Sequence, residues 1–69
     1  MKEVKINTET IKLDQLLKFA GIAQTGGQSK LMIKDGMVLV NGQTVTQRGK
    51  KIKKGDIIEI KNMDKFVVV

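Results

Sequence analysis

Two short stretches of the chain carry residue types able to hold an anion. The first is Thr25-Gly26-Gly27-Gln28, followed by Lys30 and Lys34; the second is Arg48-Gly49-Lys50-Lys51-Ile52-Lys53-Lys54, with five cations in seven residues and no acid among them. Thr25 and Gln28 fit the T-x-x-Q capping box, in which the threonine oxygen accepts the Gln28 amide proton and the glutamine side chain reaches back. The opening amides of a helix lack intrahelical partners, and the macrodipole places about half a positive charge there. Glycine costs roughly 1 kcal/mol against alanine inside a helix, yet two occupy this helix start. Without side chains, Gly26 and Gly27 let a phosphate approach their N–H groups closely. A flexible connection between two helices is the structural alternative.

Lys12 and Lys18 stand near the two ends of a preceding helical pattern, so the basic faces of a helix pair are expected to converge around Thr25. In the second stretch Ile52 is the one candidate for burial. Packed on one side only, it would anchor the segment and leave Arg48, Lys50, Lys51, Lys53 and Lys54 outward along a rigid edge that tracks phosphates, rather than a merely solvated face. Only one of the thirteen cations is arginine. Lysine acts as a point charge where arginine forks, so the expected contacts are mostly with nucleic-acid backbone and position the ligand without reading its sequence.

Other chemistries fit poorly. Histidine and cysteine are absent, which removes the commonest general base, the commonest zinc ligand and any disulfide framework. The seven carboxylates are scattered, and no phosphate-binding loop motif, serine elbow or metal-ligand spacing occurs. No enzymatic activity, cofactor, metal or small-molecule substrate is expected. There is no Trp or Tyr, and Phe19 and Phe66 suit a core better than a surface, which argues against a base-stacking platform. The net charge of +6 on 69 residues favours polyanions. The apolar runs are far too short to cross a bilayer, and the first ten residues lack a signal-peptide core. A soluble, cytoplasmic monomer with no membrane association is expected.

The elements that must position these groups are legible in the periodicity. Val4 to Ile6 alternates as a strand. Leu13, Leu16, Leu17 and Ala20 form the apolar stripe of a short helix, with Thr10 as its expected N-cap and Gly21 as its left-handed stop. A second helix runs from Thr25 to Gly36 with Ser29, Met32 and Ile33 inward. Val38 to Val45 is a hairpin around Asn41-Gly42, since a type I′ turn needs positive φ at both central residues. After a turn at Gly55-Asp56, two strands, Ile57 to Ile60 and Lys65 to Val69, close the chain. The order describes one α+β domain over residues 1–69, with two short packed helices on a small, mostly antiparallel sheet of about four to five strands.

The stretch from Lys12 to Ile60 resembles the RNA-binding domain named after small-subunit ribosomal protein S-four. The resemblance rests on Lys12, Leu13, Asp14, Leu16 and Leu17, then Thr25, Ser29, Lys30, Met32, Ile33 and Gly36, followed by "VLVNG" and "KKGDIIEI". It looks like the stand-alone bacterial subfamily in which "GGQSK" and "RRGKK"-like segments recur. Family members commonly carry arginine where this chain has Lys12 and Gly26, which here leaves the backbone amides to meet phosphate. The resemblance implies structured RNA as ligand, ribosomal or transfer RNA, ribosomal particles as partner, and ribosome assembly or rescue as the process. The alternative is a protein-interaction module whose basic face meets an acidic partner, with Leu31 as an exposed apolar contact; DNA binding is a weaker third.

Overall fold

The structure, a computed structural model describing residues 1–69, contains nine elements: β1 (Lys2–Val4), β2 (Thr10–Lys12), α1 (Leu13–Phe19), α2 (Gly26–Lys34), β3 (Val38–Val40), β4 (Gln43–Thr44), β5 (Lys51–Lys53), β6 (Ile57–Ile60) and β7 (Asp64–Val68). Five strands form a sheet in the order β1-β7-β6-β3-β4, and β2 pairs with β5 as a separate ribbon. Every pairing is antiparallel except β1 with β7. The expected α+β architecture is thus observed, with a two-stranded ribbon in addition to the main sheet.

The two-residue side-chain period of the strands decides what the sheet buries. Val38 and Val40 of β3, Ile58 and Ile60 of β6, and Phe66 and Val68 of β7 point inward. They join Leu13, Leu16 and Leu17 from α1, Met32 and Ile33 from α2, and Ile6, Ala23 and Ile52 in one apolar core. Ile52 is fully buried at the centre of β5 while Lys51 and Lys53 on either side are exposed. Burying such a side chain contributes about 1.5–3 kcal/mol, enough to hold a short basic ribbon against the body. No helix is long and apolar enough to cross a membrane.

Both helices end in the same way. Gly21 and Gly36 take φ of 78° and 74°. After α1, the Gly21 amide donates to the Lys18 carbonyl and the Ile22 amide to that of Leu17; after α2, Gly36 donates to Ile33 and Met37 to Met32. These paired bonds are Schellman closures, in which a left-handed glycine turns the chain and satisfies the last carbonyls. The hairpin turn is type I′, with φ of 52° at Asn41 and 85° at Gly42.

Three expectations are corrected. Thr10 is not a helix cap: it lies in β2, and the N-cap of α1 is Lys12, whose side chain makes no capping bond. The β2–β5 pairing runs up to Lys12↔Lys51, and beyond it the Leu13 and Asp14 amides donate to the carbonyls of Lys50 and Arg48 at 2.9 and 3.0 Å. Main-chain acceptors thereby replace the side-chain cap. The first strand is Lys2–Val4 rather than Val4 to Ile6, although the Ile6 amide still bonds to the Val69 carbonyl. Phe66 is in the core as expected, but Phe19 is 55 % exposed. At 100° per residue, position 19 falls off the stripe of Leu13, Leu16 and Leu17.

Candidate nucleic-acid interface

The start of α2 is built as its sequence implies. Thr25 is extended, with φ −133° and ψ 161°, and its Oγ1 accepts the Gln28 amide at 3.1 Å. The Gln28 side chain reaches back one residue further than in the usual capping box, its Oε1 accepting the Gln24 amide at 2.9 Å. With the Ser29 amide bonded to the Thr25 carbonyl, the donors left over at this helix end are the amides of Gly26 and Gly27. A Cβ on Gly26 would meet nothing within 4 Å, and one on Gly27 would meet only Thr25 Oγ1 at 3.9 Å. Neither glycine has a positive φ. Thus neither backbone conformation nor packing inside the protein demands glycine here.

Along α2, Gly27, Lys30, Leu31 and Lys34 follow the i, i+3, i+4, i+7 spacing of one helix face, and all four are exposed. Leu31 is 60 % exposed, as its place in the sequence suggests. Ser29, Met32 and Ile33 occupy the opposite, buried face. Lys30 and Lys34 therefore share the outward stripe with Gly27, beside the free amides.

The second basic group gathers at the start of α1. Through the β2–β5 register Lys12 faces Lys51 and Thr10 faces Lys53. The carbonyls of Arg48 and Lys50 are bonded to the first two amides of α1, so Arg48, Lys50, Lys51 and Lys12 are held around one helix end. Lys18 is at the other end of α1, in its last turn. The ribbon is clamped at its far side by an arrangement not foreseen from the sequence. Asp56, only 8 % exposed, accepts the Lys53 amide at 2.9 Å and Asn41 Nδ2 at 3.1 Å. Asn41 Oδ1 in turn accepts the Ile57 amide at 2.9 Å. The Asn41-Gly42 turn and the Lys53-to-Ile57 turn are thereby joined, fixing the end of β5 that carries Lys53 and Lys54. The only available signal for Asp56 was an acid following a turn glycine, a pattern that also describes many solvent-exposed turns.

The only ion pair in the molecule joins Lys2 Nζ to Asp64 Oδ2 at 3.1 Å. That bond, with the Lys65 amide donating to the other Asp64 oxygen, holds the Asp64 carboxyl below its ordinary pKa. None of Lys12, Lys18, Lys30, Lys34, Arg48, Lys50, Lys51, Lys53 and Lys54 is paired with a carboxylate, and all are exposed. The surface concavities are lined by no residue of α1 or α2, so the helix pair presents a surface rather than a pocket. No three acidic side chains converge as a metal site would require.

This arrangement of helix pair, hairpin and basic ribbon has close relatives. The family model described as S4 domain matches residues 4–69. The chain belongs to the S4 domain family. It is 41 % identical over 66 residues to the probable ribosome maturation protein RlbA of Bacillus subtilis, a match covering 96 % of this chain and 93 % of that protein. It is also 37 % identical over 57 residues to the small ribosomal subunit protein uS4 of Kosmotoga olearia, covering 83 % of this chain but 27 % of the larger protein. Among solved structures, the 30S ribosomal protein S4e of Thermoplasma acidophilum superposes with a TM-score of 0.75 at 22 % identity, over 91 % of this chain and 33 % of that one. That likeness establishes a shared fold. The likeness thus covers a fraction of each of the two ribosomal proteins, whereas the RlbA match extends over nearly the whole of both chains.

Proposed function

We propose that this protein binds structured RNA, ribosomal or transfer RNA, through the phosphate backbone, and that it acts in ribosome maturation in the cytoplasm as a monomer without catalysing a reaction. The observation that carries this proposal is the set of nine exposed, unpaired cations distributed over α2, both ends of α1 and the β5 ribbon. With no carboxylate neutralising them, each is free to displace a counterion from a phosphate, which is the dominant source of nucleic-acid affinity. The Gly26 and Gly27 amides add a neutral phosphate contact at the positive end of the α2 dipole. Arg48 is assigned the more directional contact because its guanidinium can fork onto phosphate or a base edge. The S4 domain family and the ribosome maturation name of the Bacillus subtilis relative give the same direction.

A basic face can also meet an acidic protein. Purification of the tagged protein from cells, with and without nuclease treatment, separates the two. Association with ribosomal particles that nuclease abolishes is the expected result; nuclease-resistant association with a single protein would overturn RNA as the ligand.

A further inference from the structure

Phe19 is the one aromatic side chain at the surface. Phe66 is fully buried, and α1 satisfies the core through Leu13, Leu16 and Leu17. A lone exposed apolar residue is ordinary, so exposure decides nothing. Its neighbours on the helix carry more weight. Phe19 lies four residues beyond Gln15 on the exposed side of α1, next to the exposed Lys18, and the extended N-cap Lys12 stands at the opposite end of the helix. Lys12 faces Lys51 across the ribbon, and the Arg48 and Lys50 carbonyls cap the same helix end. From Leu13 to Phe19 the helix rises about 9 Å. An RNA strand whose phosphates are held at the Lys12 end and which runs along α1 therefore meets an aromatic face at the far end of the helix.

We infer that Phe19 stacks on an unpaired base of the bound RNA, so that the ligand is a duplex interrupted by a bulge or loop rather than a continuous double helix. This inference rests on the structured-RNA function proposed above. Within a continuous duplex every base face is covered by its neighbours, and an aromatic side chain finds a partner only where a nucleotide is splayed out. The phenyl ring carries no hydrogen-bonding group, so the contact tolerates any base.

The test compares two RNA probes, a fully paired duplex and the same duplex with a single bulged nucleotide, against the wild type, F19A, F19L and F19W. F19A and F19L are expected to bind the bulged RNA about tenfold more weakly than the wild type, and the paired duplex nearly as well as it does. F19W should keep the preference for the bulge. Because the chain has no other Trp and no Tyr, its indole emission reports the site alone and should be quenched by the bulged RNA but not by the paired one. Wild-type binding of both probes with F19A unchanged, or with F19A weakened equally on both and no quenching in F19W, would overturn the stacking contact and leave phosphate binding standing. Failure of the wild type to bind either probe would remove the proposed function and this inference together.

Discussion

Gly26 and Gly27 give up side chains at positions where side chains would fit, and this gives the phosphate reading of the α2 start a direct test. Alanine at either site meets no clash and no left-handed backbone, and replacing glycine at a compatible site stabilises a fold by about 0.4–1 kcal/mol. The double variant G26A/G27A is therefore expected to raise the urea midpoint while weakening RNA binding several-fold, because two methyl groups would stand between the amides and a phosphate. Raised stability with unchanged affinity would return the glycines to a purely connecting role. Asp64 makes a second residue-scale prediction. Its carboxyl pKa is depressed in the fold, first by the Lys2 side chain and then by the Lys65 amide, so it favours the native state above the unfolded carboxylate pKa. That contribution is lost as pH falls through the folded value. Stability should decline on acidification below about pH 4, and D64N should show a smaller decline than the wild type in urea titrations at neutral and acid pH.

At the scale of elements, the ribbon of β2 and β5 is what converts a run of lysines into a defined surface. Ile52 anchors it from below, the α1 amides hold its leading end, and the Asn41–Asp56 network holds its trailing end. Asp56→Ala removes a buried acceptor from the Lys53 amide and from Asn41, and hydrogen bonds to a charged group are worth about 1.5–3 kcal/mol. The variant should lose about 2 kcal/mol in chemical denaturation, with faster amide exchange at Lys53; exchange unchanged there would mean that Ile52 alone fixes the ribbon. Local signals exposed much of this to sequence reasoning. The capping box, the glycine stops and the Asn-Gly turn are each set by nearest neighbours, and Ile52 stood out as one apolar residue among cations. What remained hidden depends on distant partners: the pairing of Thr10–Lys12 with Lys51–Lys53, the parallel docking of β1 on β7, and the use of Arg48 and Lys50 carbonyls as a helix cap. Thr10 resembled a cap because a strand contact 43 residues away in register, Thr10↔Lys53, leaves no trace in the local pattern. Phe19 is the converse case. Its phase on α1 already excluded it from the core, but the usual burial of phenylalanine outweighed that spacing.

For the whole molecule, one ion pair joins β1 to β7, and every other cation, on the helix pair, the ribbon and the sheet alike, is unpaired. In a chain with principal dimensions of only 25 × 20 × 18 Å, that leaves a large share of the surface able to follow a phosphate backbone. The measurement that bears most directly on the central claim is binding of a labelled ribosomal-RNA fragment across a salt series, competed with single-stranded RNA and duplex DNA and repeated with K30E/K34E. If about five phosphates are neutralised, the logarithmic salt slope should be about −4, a loss of roughly two orders of magnitude between about 50 and 200 mM salt. The competitors should fail to displace the fragment, and the charge-reversed variant should lose binding while keeping its fold by circular dichroism. A shallow slope, equal displacement by every polyanion, or full affinity in K30E/K34E would contradict the account.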